Sequence, residues 1–140
     1  MEQPELIYDP LPGEALMRFI EDGVIDHTLA ATGLAAWEPV GFFLKDSPGE
    51  WLGGCTGHVW GDWLYVRFLW VHARLRGQGQ GTRLLDAAER FAAERGAAQA
   101  TLETHSFQAI EFYLKRGYVV FGELEDYPPG HRKFFLRKRL

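Results

Sequence analysis

Val71-His72-Ala73-Arg74-Leu75-Arg76-Gly77-Gln78-Gly79-Gln80-Gly81-Thr82 is the stretch whose reading decides the fold. An apolar run enters a basic turn with glycine at alternate positions 77, 79 and 81, and the turn opens into an amphipathic segment. Glycine lets a ligand approach the backbone closely, and the first amides of a helix have no intrahelical acceptor. Strand, anion-binding turn and helix therefore follow one another, with Arg76 adding positive charge.

Downstream, Leu84, Leu85, Ala88, Phe91 and Ala92 fall on one stripe of a helix while Arg83, Asp86, Glu89, Arg90 and Glu94 face water, and Gly96 is a C-terminal stop. Upstream, residues 63–71 read as a strand with Leu64, Val66, Phe68 and Trp70 on one face and Tyr65, Arg67, Leu69 and Val71 on the other. Gly61-Asp62 is a two-residue hairpin back to a glycine-rich strand over 51–60, and the turn Asp46-Ser47-Pro48-Gly49 leads back to a strand over 40–44. These three make an antiparallel meander. Further out, the pattern predicts a short strand over 6–8, a helix ending at Gly23 and a second helix over 24–32 closed by Gly33. After the central helix come a strand over 98–104, a helix over 107–116 ended by Gly117, and strands over 118–121 and 134–137.

At 140 residues with 46% apolar and 24% charged side chains, the chain is expected to form one globular domain over 1–140. The formal net charge of −4 argues against general attraction to nucleic acid or an anionic membrane, so any anion needs a local basic seat. Cys55 is the single cysteine, and the histidines form no His-x-x-x-His pair, so neither a disulfide nor a metal is expected. Without an apolar run of about 18 residues or a leader-like N-terminus, the expected location is cytoplasmic.

Spacing excludes two common phosphate motifs. A Walker loop needs Gly-Lys-Ser/Thr after four intervening residues, and no lysine follows Gly77. A dinucleotide fingerprint needs glycine where Thr82 or Leu84 stands. Arg76-x-x-Gly79-x-Gly81, set between a strand and an amphipathic helix, instead resembles the acetyl-CoA pyrophosphate motif of the GNAT (Gcn5-related N-acetyltransferase) superfamily. Ala109-Ile110-Glu111-Phe112-Tyr113-Leu114-Lys115-Arg116-Gly117-Tyr118 resembles the second signature of that family. Two motifs in order, on fitting elements, carry the resemblance over residues 64–140.

The resemblance implies an α/β fold of the α+β type, with a mixed, mostly antiparallel sheet, flanking helices and splayed central strands. It implies acetyl-CoA as co-substrate, held by the backbone of Leu69, Trp70 and Val71 and by Arg76, Gly77, Gln78, Gly79, Gln80, Gly81 and Thr82. Where the family often has asparagine this chain has Ser106, and Ser106 and Gln108 are both cofactor candidates. Tyr113 matches the family tyrosine that protonates the departing thiolate. A general base is open among Glu103, His105, His58 and ordered water. The implied reaction is direct acetyl transfer to a primary amine of a small molecule. Acetylation of a protein N-terminus or lysine, and a non-catalytic CoA-binding module, are the alternatives. A homodimer through the aromatic C-terminal strands is also expected.

Overall fold

The computed structural model describes residues 2–34 and 37–140. The chain divides into two compact parts, Met1–Ala36 and Trp37–Leu140. The first carries one helix, α1 (Glu14–Thr32), whose end is capped where left-handed Gly33 donates its N–H to the Leu29 carbonyl at 2.8 Å. Gly23, expected to stop a first helix, lies inside α1. One interior glycine costs a helix only about 1 kcal/mol relative to alanine, too little to break it. Residues 6–8 form no strand, which corrects the second N-terminal expectation. Three apolar residues hemmed by Pro4 and by Asp9-Pro10 are too short a run to specify one.

The second part holds β1 (Glu38–Lys45), β2 (Trp51–Trp60), β3 (Trp63–Val71), α2 (Gln80–Glu94), β4 (Gln99–His105), α3 (Ile110–Lys115), β5 (Val119–Glu125) and β6 (Arg132–Arg139). They form one α/β layer pair around a six-stranded sheet of order β1-β2-β3-β4-β6-β5. Trp60 pairs with Trp63 across the Gly61-Asp62 turn, as the hairpin spacing required, whereas Trp51 pairs with Lys45 at the far end of β2. The β3–β4 pair is parallel because α2 crosses over between them, and the other pairs are antiparallel. Val40, Cys55, Val59, Leu64, Val66, Leu102 and Leu136 of the sheet meet Leu84, Leu85, Ala88 and Ala92 of α2 and Tyr113 of α3 in one core. Among the described residues, no helix is long and apolar enough to cross a membrane.

One irregularity sets up the site. Thr56 pairs with Phe68 but Gly57 pairs with Val66, so Arg67 is an extra residue in β3. This bulge inverts the alternation. Leu69 and Val71 join Leu64 and Val66 on the helix-packed face, while Phe68 and Trp70 turn to the opposite face and are 63% and 53% exposed. The uninterrupted alternation expected from sequence therefore fails beyond Val66. Position 57 has to be glycine, because a Cβ there would lie 2.0 Å from the Tyr65 carbonyl oxygen.

The second irregularity is a parting of strands. β3 and β4 pair from Trp63↔Gln99 to Val66↔Leu102 and no further, yet β3 runs on to Val71 and β4 stays with β6 as far as His105↔Lys133. Backbone groups of β3 that face β4 beyond the bulge are left without a strand partner. This is the splay expected of the fold.

Candidate active site

The glycine turn stands at the open end of the splay. His72 caps a single 3-10 turn, Ala73–Leu75, by accepting the Arg74 N–H on Nδ1 at 3.2 Å. Gly77 and Gly79 follow with φ of 75° and 79°, a region that side chains with a Cβ rarely adopt. A Cβ built on either would meet nothing within 4 Å, so the glycines border open space. After Arg76, whose N–H goes to the Ala73 carbonyl, the next N–H with an acceptor is that of Arg83 in α2, which donates to the Gly79 carbonyl at 3.1 Å. The N–H groups of residues 77–82 have no acceptor among the described residues. No acidic side chain occupies the first turn of α2. Free amides, the helix dipole and nearby arginines together make an anion cradle.

Arg76 does more than lend charge. Its Nε donates to the Val71 carbonyl at 3.1 Å, which ties the turn to the end of β3 and leaves the rest of the guanidinium exposed. Gln78 Nε2 donates to the Arg74 carbonyl at 3.0 Å and folds the turn on itself. Gly81 sits where a Cβ would touch the Phe112 ring at 3.5 Å, so α2 and α3 meet closely at this glycine.

Tyr113 of α3 lies on the helix-packed side, 8% exposed, with its ring edge-on to Phe112 and Tyr118 at 5.2 and 5.8 Å. Its hydroxyl bonds no described residue. Burial, with the Cys55 thiol nearby, pushes its pKa up to about 12, so the phenol keeps its proton and donates. Burial likewise pushes Cys55 up to about 12, with the Glu89 charge adding to the effect. Glu89 accepts from Tyr118 Oη at 2.8 Å and Lys138 Nζ at 2.6 Å in a half-buried cluster, whereas helical periodicity predicts Glu89 on the water-facing side.

The opposite face of the sheet carries a row of rings. Trp37 stacks on His58 at 4.5 Å, His58 tilts on Tyr65 at 5.3 Å, and across β4 Tyr127 tilts on His105 at 5.7 Å. His105 stacks on Phe107 at 5.1 Å, and Phe107 meets His131 edge-on at 5.0 Å. Between the two groups Glu103 and Lys133 pair at 3.2 Å, and Lys133 Nζ lies 4.8 Å from the Tyr127 ring centre. Tyr127 and His131, absent from the sequence-based set, come from the loop between β5 and β6. Only their place in the fold brings them to the splay.

Ser106 and Gln108 cross the tip of β4. Ser106 Oγ accepts the Arg132 N–H at 3.0 Å and fastens the loop, while Gln108 Oε1 accepts the His105 N–H at 2.9 Å. His58 is held apart on β2, with its pKa lowered by burial and by the Arg67 charge. Among the described residues, no group of three or more histidine, cysteine, aspartate or glutamate side chains is arranged to hold a metal.

A parallel strand pair that opens onto a glycine turn and a helix start, inside a mixed sheet, is the architecture of an acyltransferase fold. The sequence profile of the acetyltransferase (GNAT) family matches residues 13–118, and the chain belongs to that family of acyltransferase enzymes. It is 45% identical over 93 residues to the blasticidin-S acetyltransferase of Streptomyces morookaense, covering 66% of this chain and 68% of that protein. It is also 31% identical over 120 residues to an acetyltransferase of Agrobacterium fabrum, covering 86% and 88%. A crystal structure of an acetyltransferase from Bacillus cereus superposes with a TM-score of 0.81 at 34% identity, over 96% of this chain and 98% of that one.

Proposed function

We propose that this acetyltransferase moves the acetyl group of acetyl-CoA directly onto a primary amine of a small molecule within a ternary complex. The observation that carries the reading is the cradle of free amides at residues 77–82, opening onto the β3–β4 splay. The pyrophosphate lies on those amides and the exposed guanidinium of Arg76. The pantetheine arm pairs with backbone groups on the β4 side of the stretch Leu69, Trp70 and Val71, and an amide there donates to the carbonyl oxygen as negative charge builds on it. Ser106 and Gln108, just past the end of β4, complete the cofactor set through the Ser106 hydroxyl and the Gln108 Nε2. Homology with a blasticidin-S acetyltransferase supports a small-molecule acceptor. The acceptor lies on the ringed face, where aromatic π-clouds and Glu103 favour a cationic amine.

In this reading the amine nitrogen attacks the thioester carbonyl, the C–N bond forms, the C–S bond breaks, and Tyr113 donates a proton to the sulfur. Cys55 takes no part: a thiol 1% exposed and held protonated offers no acetyl-cysteine route. Val119, Val120 and Phe121 are exposed on edge strand β5, the surface for a homodimer through the C-terminal strands. Light scattering on the purified chain reads that state directly.

The decisive experiment incubates acetyl-CoA with blasticidin S, nourseothricin, tyramine and acceptor peptides, and follows free thiol alongside thermal shift with CoA. Turnover on a small amine is the expected result. Stabilisation by CoA without turnover on any acceptor would leave a binding module, and absence of both would remove the reading.

A further inference from the structure

We propose that His105 is the general base of the transfer and that Gln108 is its positioning residue, an inference that rests on the function proposed above. The argument begins at one oxygen. The atom of the Gln108 amide that faces the His105 backbone N–H at 2.9 Å must be an acceptor, which fixes it as Oε1. Thr104 Oγ1, from a side chain only 4% exposed, donates to the same oxygen at 3.3 Å. The Nδ1 of His105 lies 3.1 Å from it. An oxygen with no proton to give makes Nδ1 the protonated nitrogen, so Nε2 carries the lone pair. Nε2 bonds no described residue.

Its place in the sheet puts that lone pair where an amine arrives. His105 stands three residues past the last β3–β4 pair, which, with the extra residue Arg67 counted, sets it against Trp70 across the splay. It alternates with Glu103 on the face opposite Tyr113. Acid and base thus flank the opening from opposite faces. The other sequence candidates are committed elsewhere: Glu103 is paired with Lys133 at 3.2 Å, and His58 is stacked on Trp37 on a strand that does not border the splay.

The proton balance closes. An ammonium R–NH3+ gives one proton to Nε2, and the freed lone pair forms the C–N bond. As the C–S bond breaks, sulfur takes the Tyr113 proton. The nitrogen then sheds its second proton, which restores the phenol, and the imidazolium gives its own to water. One proton leaves for each acetyl transferred.

The titratable and charged groups facing His105 are Glu103 on its own strand, Lys133 on β6 and Tyr127 of the β5–β6 loop, with His131 one ring further out against Phe107. In steady-state assays of the acceptor found in the amine panel, His105→Gln is expected to lower kcat by about 10²-fold or more. The loss should shrink as pH rises toward the pKa of the amine, with the thermal shift by CoA unchanged. Gln108→Leu should lower kcat by more than any rise it brings in KM for acetyl-CoA, and Gln108→Glu, which keeps the acceptor, should restore kcat. Two-bond 1H–15N correlations of His105 should show the Nδ1–H tautomer in the wild type and lose it in Gln108→Leu. A His105→Gln enzyme within twofold of wild type at every pH would overturn the assignment while leaving the acetyl transfer intact. So would a Gln108→Leu variant whose only defect is a raised KM for acetyl-CoA. A wild type inactive on every amine would remove both proposals.

Discussion

Burial acts alike on two core side chains, Tyr113 and Cys55, with opposite consequences for the proposed transfer. Their pKa values are pushed up to about 12, so neither ionises at neutral pH. For a leaving thiolate that is useful in the phenol and disabling in the thiol. Tyr113→Phe keeps the ring contacts with Phe112 and Tyr118 and should lower kcat by about 10²-fold with little change in the melting temperature. A kcat equal to wild type would remove the phenol from the mechanism. Cys55→Ala should retain activity, and iodoacetamide should not inactivate the native enzyme. Rapid alkylation with loss of turnover would contradict the buried, protonated thiol.

Among the elements, those with strong local signals were legible from sequence: β2 and β3 around Gly61-Asp62, the glycine turn, and the stripe of α2 all stand where pattern placed them. What could not be read depends on a partner. The bulge at Arg67 exists because β2 presents Gly57 against Tyr65, and no single-strand pattern of β3 contains that information. Hence Phe68 and Trp70 stand on the face opposite to the one that regular alternation predicts. The tautomer of His105 was equally hidden, because it depends on a contact from Gln108 across the end of β4. Gly57→Ala should cost about 3 kcal/mol or more in urea unfolding, since the new methyl meets backbone oxygen that cannot swing aside. A change under about 0.5 kcal/mol, within the range of ordinary surface substitutions, would mean the bulge relaxes freely. At the glycine turn the expectation is different. Gly79→Val places a β-branched side chain at φ 79° in open space, so calorimetry should find CoA binding lost while the sheet folds. CoA bound as tightly as by wild type would show that the anion lies elsewhere.

Across the whole molecule, the core that supports the site contains three groups that resist ionisation together. Cys55, Tyr113 and Tyr118 all join one buried cluster, and the pKa of each is raised chiefly by burial. Glu89 adds to this, since its carboxylate accepts the Tyr118 hydroxyl and is itself held by Lys138. Each group therefore binds its proton more tightly in the folded chain than in the unfolded one. When the unfolded state holds fewer protons, stability falls as pH rises. The contribution is complete below the ordinary thiol value of 9.0 and phenol value of 10.0, and it drains away as pH climbs toward about 12. Thermal unfolding of the wild type should thus be level between pH 7 and 8 and drop steeply from pH 9 to 11, before arginine loses charge. Tyr118→Phe removes one titrating group and should flatten that drop while lowering stability at pH 7 by about 1 kcal/mol for the lost hydrogen bond. A melting temperature constant to pH 11 would mean that these groups ionise without unfolding the core. In that case water would reach Tyr113 freely, and a phenol held in its acid form by burial would lose its physical basis.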